Sequence, residues 1–221
     1  MSGVGPPRDH PFVLLVEGRD DTFAIANLLE RHGCSWPGTP WFPRIRAAEG
    51  VSPLLEAISV SLKTRCSRLA VVMDADLDAP ARWDEVRGRF ARLGVRFDRG
   101  IGTGGAVARR SAEWSADVGP DRVGAWLMPD HAGPGGLETF LSRLVPDDDA
   151  VWSHAVTATA DARARGAPVT ATHVAKAELH AWLAWQSPPG LPFGTALNAR
   201  VLRHDSPLAA AFVGWIRAVF G

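Results

Sequence analysis

Apolar residues fall in unbroken runs over the first two thirds of the chain and at helical spacing over the last third. Phe12-Val13-Leu14-Leu15, Leu69-Ala70-Val71-Val72-Met73 and Val123-Gly124-Ala125-Trp126-Leu127-Met128 contain no charged position. Each predicts a strand buried on both faces of a parallel sheet, the first reaching Glu17. Between the first two runs, Thr22 to His32 places Phe23, Ile25, Ala26, Leu28 and Leu29 on one face of a helix that Gly33 ends. Phe42 to Ala47 predicts a further strand, and Pro43 confines it to an edge or a strand start. Ser52-Pro53 opens a helix to about Thr64. Ala81 to Leu93 predicts another, Arg-rich on its outer face and closed by Gly94.

Val95 to Ala108 shows no clear period; Arg99 to Gly105 reads as a strand end and a flexible loop. The loop Ala132 to Gly136 leads into a helix over Leu137 to Leu144. Beyond Pro146 only helices are predicted. Asp147 to Asp149 cap one that reaches about Arg165, and Thr172 to Gln186 form the next. A rigid loop, Ser187 to Pro192, precedes two closing helices, the last capped by Ser206-Pro207. Alternating β and α units followed by helices give an α/β fold with a mostly parallel Rossmannoid sheet and a C-terminal all-helical lobe. The expected division is a disordered tail over 1–11, an α/β domain over 12–145 and a helical lobe over 146–221 packed on it.

A length of 221 residues, 46% of them hydrophobic, suffices for a sizeable core and excludes general disorder. The formal net charge of zero argues against a strongly basic nucleic-acid binder and leaves room for a local basic groove. The two cysteines, Cys34 and Cys66, lack metal-type spacing, and the Gly- and Pro-rich start carries no apolar signal core. A reducing cytoplasm is expected. Pro207 to Phe220 is too short to span a bilayer and carries Arg217, so no membrane partner is expected. Lys63 and Lys176 are the only lysines, which draws attention to both.

Candidate chemistry sits where the strands end. Glu17 follows the first run, and Asp74-Ala75-Asp76-Leu77-Asp78 follows the second. The C-terminal edge of an open α/β sheet is where such folds bind ligands. Carboxylates arriving there from two strands suit a hard cation such as Mg²⁺ or Mn²⁺. Strand alternation would put Asp74 and Asp76 on one side, roughly 6–7 Å apart. A buried, unpaired Glu17 would cost several kcal/mol. A lone Asp after a strand more often begins a turn, and Asp78 lies past the expected strand. The Asp74/Asp76 doublet matched by Glu17 favours a site.

Val16-Glu17-Gly18-Arg19-Asp20-Asp21 followed by Asp74-Ala75-Asp76 resembles the Toprim domain of topoisomerases, bacterial primases, a ribosomal-RNA maturase and the overcoming-lysogenization-defect nucleases. The Glu-x-x-x-Asp form of the last group maps onto Glu17 and Asp21. Val123 to Asp130, Gly135 to Phe140, Lys176 to Gln186 and Pro189 to Gly194 resemble blocks of a small stand-alone Toprim-like family of unknown function. That likeness covers nearly everything after Pro11 and departs at His131, where Asn is expected. It implies metal ligation by Glu17, Asp21, Asp74, Asp76 and Glu138, with Asp20, Asp78 and Asp130 in reserve. It implies catalytic roles for Glu17 and Lys176.

By the residues alone, Glu138 reads equally as a helix-start acid facing the dipole, Lys176 as a snorkelling surface residue, and His180 as a structural hydrogen-bonding residue. The run Gly100 to Gly105 is no phosphate-binding P-loop, since no Gly-Lys-Ser/Thr ends it. Arg109 and Arg110 are expected to touch a nucleic-acid backbone, although a solvated pair is the commoner outcome.

The resulting expectation is metal-dependent phosphoryl transfer, most simply phosphodiester hydrolysis of DNA or RNA. One alternative is a non-catalytic metal- and phosphate-dependent binding module in a defence or regulatory complex, which would have a protein partner. A second is primase-like nucleotidyl transfer, which the absence of a zinc module disfavours.

Overall fold

The computed structural model describes residues 5–102, 104–110 and 119–221. In chain order the strands are β1 (Phe12–Val16), β2 (Arg44–Ala47), β3 (Arg68–Asp74), β4 (Ala106–Arg109) and β5 (Arg122–Met128). They form one sheet in the order β2-β1-β3-β5-β4. β4 runs antiparallel to β5, and every other pairing is parallel. β2 lies at an edge, and Pro43 directly precedes its first residue. β4 was not legible as a strand: four residues with two alanines have little propensity of their own, and pairing with β5 decides it.

The helices are α1 (Arg19–Arg31), α2 (Val51–Ser61), α3 (Ala79–Ala91), α4 (Leu137–Ser142), α5 (Ala150–Ala164), α6 (Val174–Ala184), α7 (Phe193–Asn198) and α8 (Pro207–Phe220). A 3₁₀ turn, Ala171–His173, leads into α6. Alternation along the strands splits the core in two. Leu14, Val16, Ala70, Val72, Trp126 and Met128 face α1, α4 and α6 to α8. Leu15, Leu69, Val71, Met73, Ala125 and Leu127 face α2 and α3. Both faces are covered, which is why the strand runs contain no polar position.

Gly124 lets α8 lie against β5. A Cβ there would stand 2.4 Å from Val219 Cγ2 and 3.1 Å from Trp215 Cζ2. At the rim where β3 and β5 begin, Arg68 donates to the Phe220 and Gly221 carbonyls, and Arg122 to the Ala218 carbonyl at 2.9 Å. These cations satisfy and electrostatically complement the C-terminal end of α8. Of the stretch expected to be a tail, residues 1–4 lie outside the described residues. His10 Nε2 lies 3.1 Å from the Phe42 carbonyl, and Arg44 donates to the Arg8 carbonyl at 2.7 Å. Among the described residues no helix is long and apolar enough to cross a membrane.

Candidate functional site

The strand ends create the site. β1 and β3 are hydrogen-bonded neighbours, so Glu17 emerges beside the end of β3, where its Oε1 accepts the Asp74 N–H at 2.8 Å. Asp74 Oδ1 in turn accepts the Leu137 N–H at 3.0 Å, which joins β3 to the start of α4. Gly136 is required at this contact, because a Cβ would sit 2.4 Å from Asp74 Oδ2. Asp21 Oδ2 accepts the Gly18 N–H at 3.0 Å. That bond caps α1 and explains why the helix starts at Arg19 rather than at Thr22. Across the site, Lys176 Nζ lies 2.9 Å from Glu138 Oε1.

Burial raises the Asp21 carboxyl from 3.8 to about 7, against the pull of the Gly18 N–H; Glu17 and Glu138 push it further up. Asp74 lies well above the ordinary range through burial and then through Asp21, Glu17 and Glu138. Glu17 is also raised, by burial first, with the Asp74 N–H opposing and Asp76 adding. These carboxyls therefore feel one another, and each disfavours ionisation of the next. Lys176 is raised by its bond to Glu138, with Asp20 and Asp74 contributing to the field that holds it charged.

Asp76 departs from the expected alternation. β3 ends at Asp74, and Asp76 has a φ of +52°. Its backbone bridges to Gly135, with N–H···O distances of 3.0 and 2.7 Å. Its carboxylate pairs with Arg82, which also binds Glu85 at 2.6 Å. Asp74 is thus partly buried on the Leu137 N–H and Asp76 is exposed and paired with Arg82, yet both line one cleft and Asp76 still pushes up the Glu17 carboxyl. Asp78 caps α3, its Oδ1 accepting the Ala81 N–H at 2.9 Å. Asp130 accepts the Ala132 and Gly133 N–H groups and pairs with Arg143 at 2.7 Å. Burial would raise Asp130, but the Gly133 N–H and Arg143 outweigh it and hold the carboxyl low. Both acids are occupied in turns and caps. Asp20 is exposed in the first turn of α1.

Arg109 and Arg110 lie at the other rim. Arg109 is in register with Arg122, the first residue of β5, whereas the acids gather where that strand ends. A strand of seven residues separates the two rims by roughly 20 Å. Arg110 donates to the Gly119 carbonyl at 2.6 Å. Neither arginine shares the acidic site. His180 is exposed on α6, its ring 5.1 Å from that of Phe193. His131 is buried, with a φ of +58° that Asn would also tolerate. Its Nδ1 accepts the Leu127 N–H at 3.0 Å, and Trp83 packs edge-on against it at 5.0 Å.

A cleft of about 470 Å³ opens over Asp74 and Glu138. Asp76, Leu77, Pro134, Thr172 and His173 form much of its wall, and among the described residues Lys176 is the one Lys or Arg in its lining. His173 escaped the sequence reading, although its place one turn before Lys176 puts both on one helical face. Leu77 escaped it because an apolar residue between two acids carries no period.

The all-oxygen donor set suits a hard divalent cation in kind, and a cation would relieve the mutual repulsion of Glu17, Asp21 and Asp74. Among the described residues, no three His, Cys, Asp or Glu side chains already converge in a metal-holding group. Lys176 supplies the positive charge at Glu138.

A family described as "Protein of unknown function (DUF3226)" matches residues 11–221. No curated protein and no solved structure matches the chain.

Proposed function

The chain belongs to this family of unknown function, and from that premise we propose a Toprim-like, metal-dependent phosphoryl-transfer enzyme whose simplest reaction is hydrolysis of nucleic-acid phosphodiesters. The observation that carries the reading is the Glu17 carboxylate on the Asp74 N–H, close enough to push up the Asp74 carboxyl, with Asp74 itself lining the cleft. Glu17, Asp21, Asp74 and Glu138 would hold Mg²⁺ or Mn²⁺. A cation there would polarise a phosphoryl oxygen and acidify a bound water.

The chain's own groups supply the rest. Glu17, raised by burial, is suited to take a proton from the attacking water. The water oxygen bonds to phosphorus, the ester P–O bond breaks, and the leaving oxygen is protonated from solvent. Lys176, turned from Glu138 toward the phosphoryl group, offsets the charge that grows on its oxygens. Asp76, which lines the same cleft, would join the metal ligands on leaving Arg82.

A non-catalytic phosphate-binding module is the second reading. It is favoured by the Lys176–Glu138 pair, which already neutralises one of the acids. Nicking of supercoiled plasmid and cleavage of RNA, with Mn²⁺, Mg²⁺ or EDTA, separates the two. The hydrolase reading expects metal-dependent cleavage that EDTA and Asp74→Asn abolish. Metal-dependent binding without product, or cleavage that survives Asp74→Asn, rules it out.

A further inference from the structure

The cleft differs from its acidic floor in chemistry and in exposure. Asp74 and Glu138 are partly buried, the Glu138 side chain retaining 19% exposure. The mouth is built from Leu77, which is 70% exposed, with Pro134, Thr172 and His173 exposed around it. Leu77, Pro134 and the His173 ring give the mouth apolar and ring surface beside the exposed Asp76 carboxylate, which lines the same cleft and is paired with Arg82. A volume of about 470 Å³ lies near the lower end of the roughly 300–1,000 Å³ typical of small-molecule pockets. Among the described residues Lys176 is the one Lys or Arg lining it, and it must leave Glu138 to meet a phosphate, so the cleft offers a side-chain cation to one phosphate at most.

We propose that the cleft takes one unpaired nucleotide unit of a single strand, its phosphate at the Asp74–Glu138–Lys176 floor and its base against Leu77, Pro134 and His173. This rests on the phosphoryl-transfer reading and names its substrate class. In a duplex the base faces are covered by stacked neighbours and the pairing edge by the partner strand. A paired nucleotide therefore cannot present a free base to the wall while its phosphate reaches the recessed floor. A duplex binder also needs several phosphate contacts. The arginines at the far rim, Arg68 and Arg122, are engaged by the end of α8.

The test compares a labelled single-stranded DNA oligonucleotide with the same strand in a duplex, in Mn²⁺, for kcat/KM and for binding by anisotropy across salt. The expected result is at least tenfold preference for the single strand. The log Kd–log[salt] slope should be near one phosphate contact, roughly 0.7 in magnitude. Leu77→Ser and His173→Ala should each raise KM severalfold with kcat unchanged. Equal cleavage of both substrates, abolished by Asp74→Asn, overturns the single-strand inference and leaves the hydrolase reading standing. A slope of three or more contacts does the same. Cleavage of neither substrate, made as DNA and again as RNA, overturns both.

Discussion

Asp21→Asn removes a negative charge from the acidic cluster and keeps a side-chain oxygen that can accept the Gly18 N–H. Asp21 is only 8% exposed, and burial raises its carboxyl from 3.8 to about 7. The folded state therefore binds this proton more tightly than the unfolded chain. Its stabilising effect is complete below pH 3.8 and is lost as pH rises through 7. At 1.36 kcal/mol per unit, the ionised carboxylate costs the metal-free fold up to about 4 kcal/mol above pH 7. Asn escapes that cost. In EDTA at pH 8 the variant should melt several degrees higher than the parent, at about 2–4 °C per kcal/mol for a chain of this size. His131 acts in the opposite sense between pH 4 and 6.5, so the informative quantity is the difference between variant and parent. That difference should grow from pH 5 to pH 8. Mg²⁺ or Mn²⁺ should narrow it, because saturation at a hundred times Kd adds about 2.7 kcal/mol to the parent and less to the variant. A variant less stable than its parent at pH 8 in EDTA, or a difference flat with pH, would refute the account of the cluster.

His131 has its proton affinity lowered to about 4 by burial, so stability is full above pH 6.5 and falls by up to about 3 kcal/mol toward pH 4; His131→Asn should flatten that acid limb in urea titrations. Gly136→Ala places a Cβ 2.4 Å from Asp74 Oδ2. It should cut cleavage by roughly a hundredfold through misplacement of the carboxylate, with the circular dichroism spectrum retained. Gly124→Ala brings a Cβ to 2.4 Å from Val219 Cγ2 and should cost about 1–3 kcal/mol by overpacking, read as a lower urea midpoint at unchanged m. Lys176→Met breaks a pair whose side chains are 45% and 19% exposed. It should shift stability by less than about 1 kcal/mol while lowering kcat for phosphodiester cleavage.

Three of the sheet's four parallel strands, β1, β3 and β5, were legible because burial on both faces leaves an unbroken apolar run, a property of adjacent residues; the edge strand β2, with two arginines, was placed by the preceding Pro43 and flanking apolar residues. The acids at the ends of β1 and β3 were legible for the same reason: a buried run must stop where the chain reaches water. Helix caps such as Asp149 and Ser206, which accept the N–H groups of Trp152 and Ala209, lie three residues from their partners and can be read locally. Other features depend on long-range contacts. Glu17 meets the Asp74 N–H across 57 positions, and Asp74 meets that of Leu137 across 63. β4 became a strand by pairing with β5. Asp76, at a left-handed φ, meets Arg82 while lining the same cleft as Asp74, and register put Arg109 at the far rim. Residue spacing fixes which faces are buried; only the packed sheet decides which polar groups become neighbours, because their partners arrive from distant parts of the chain.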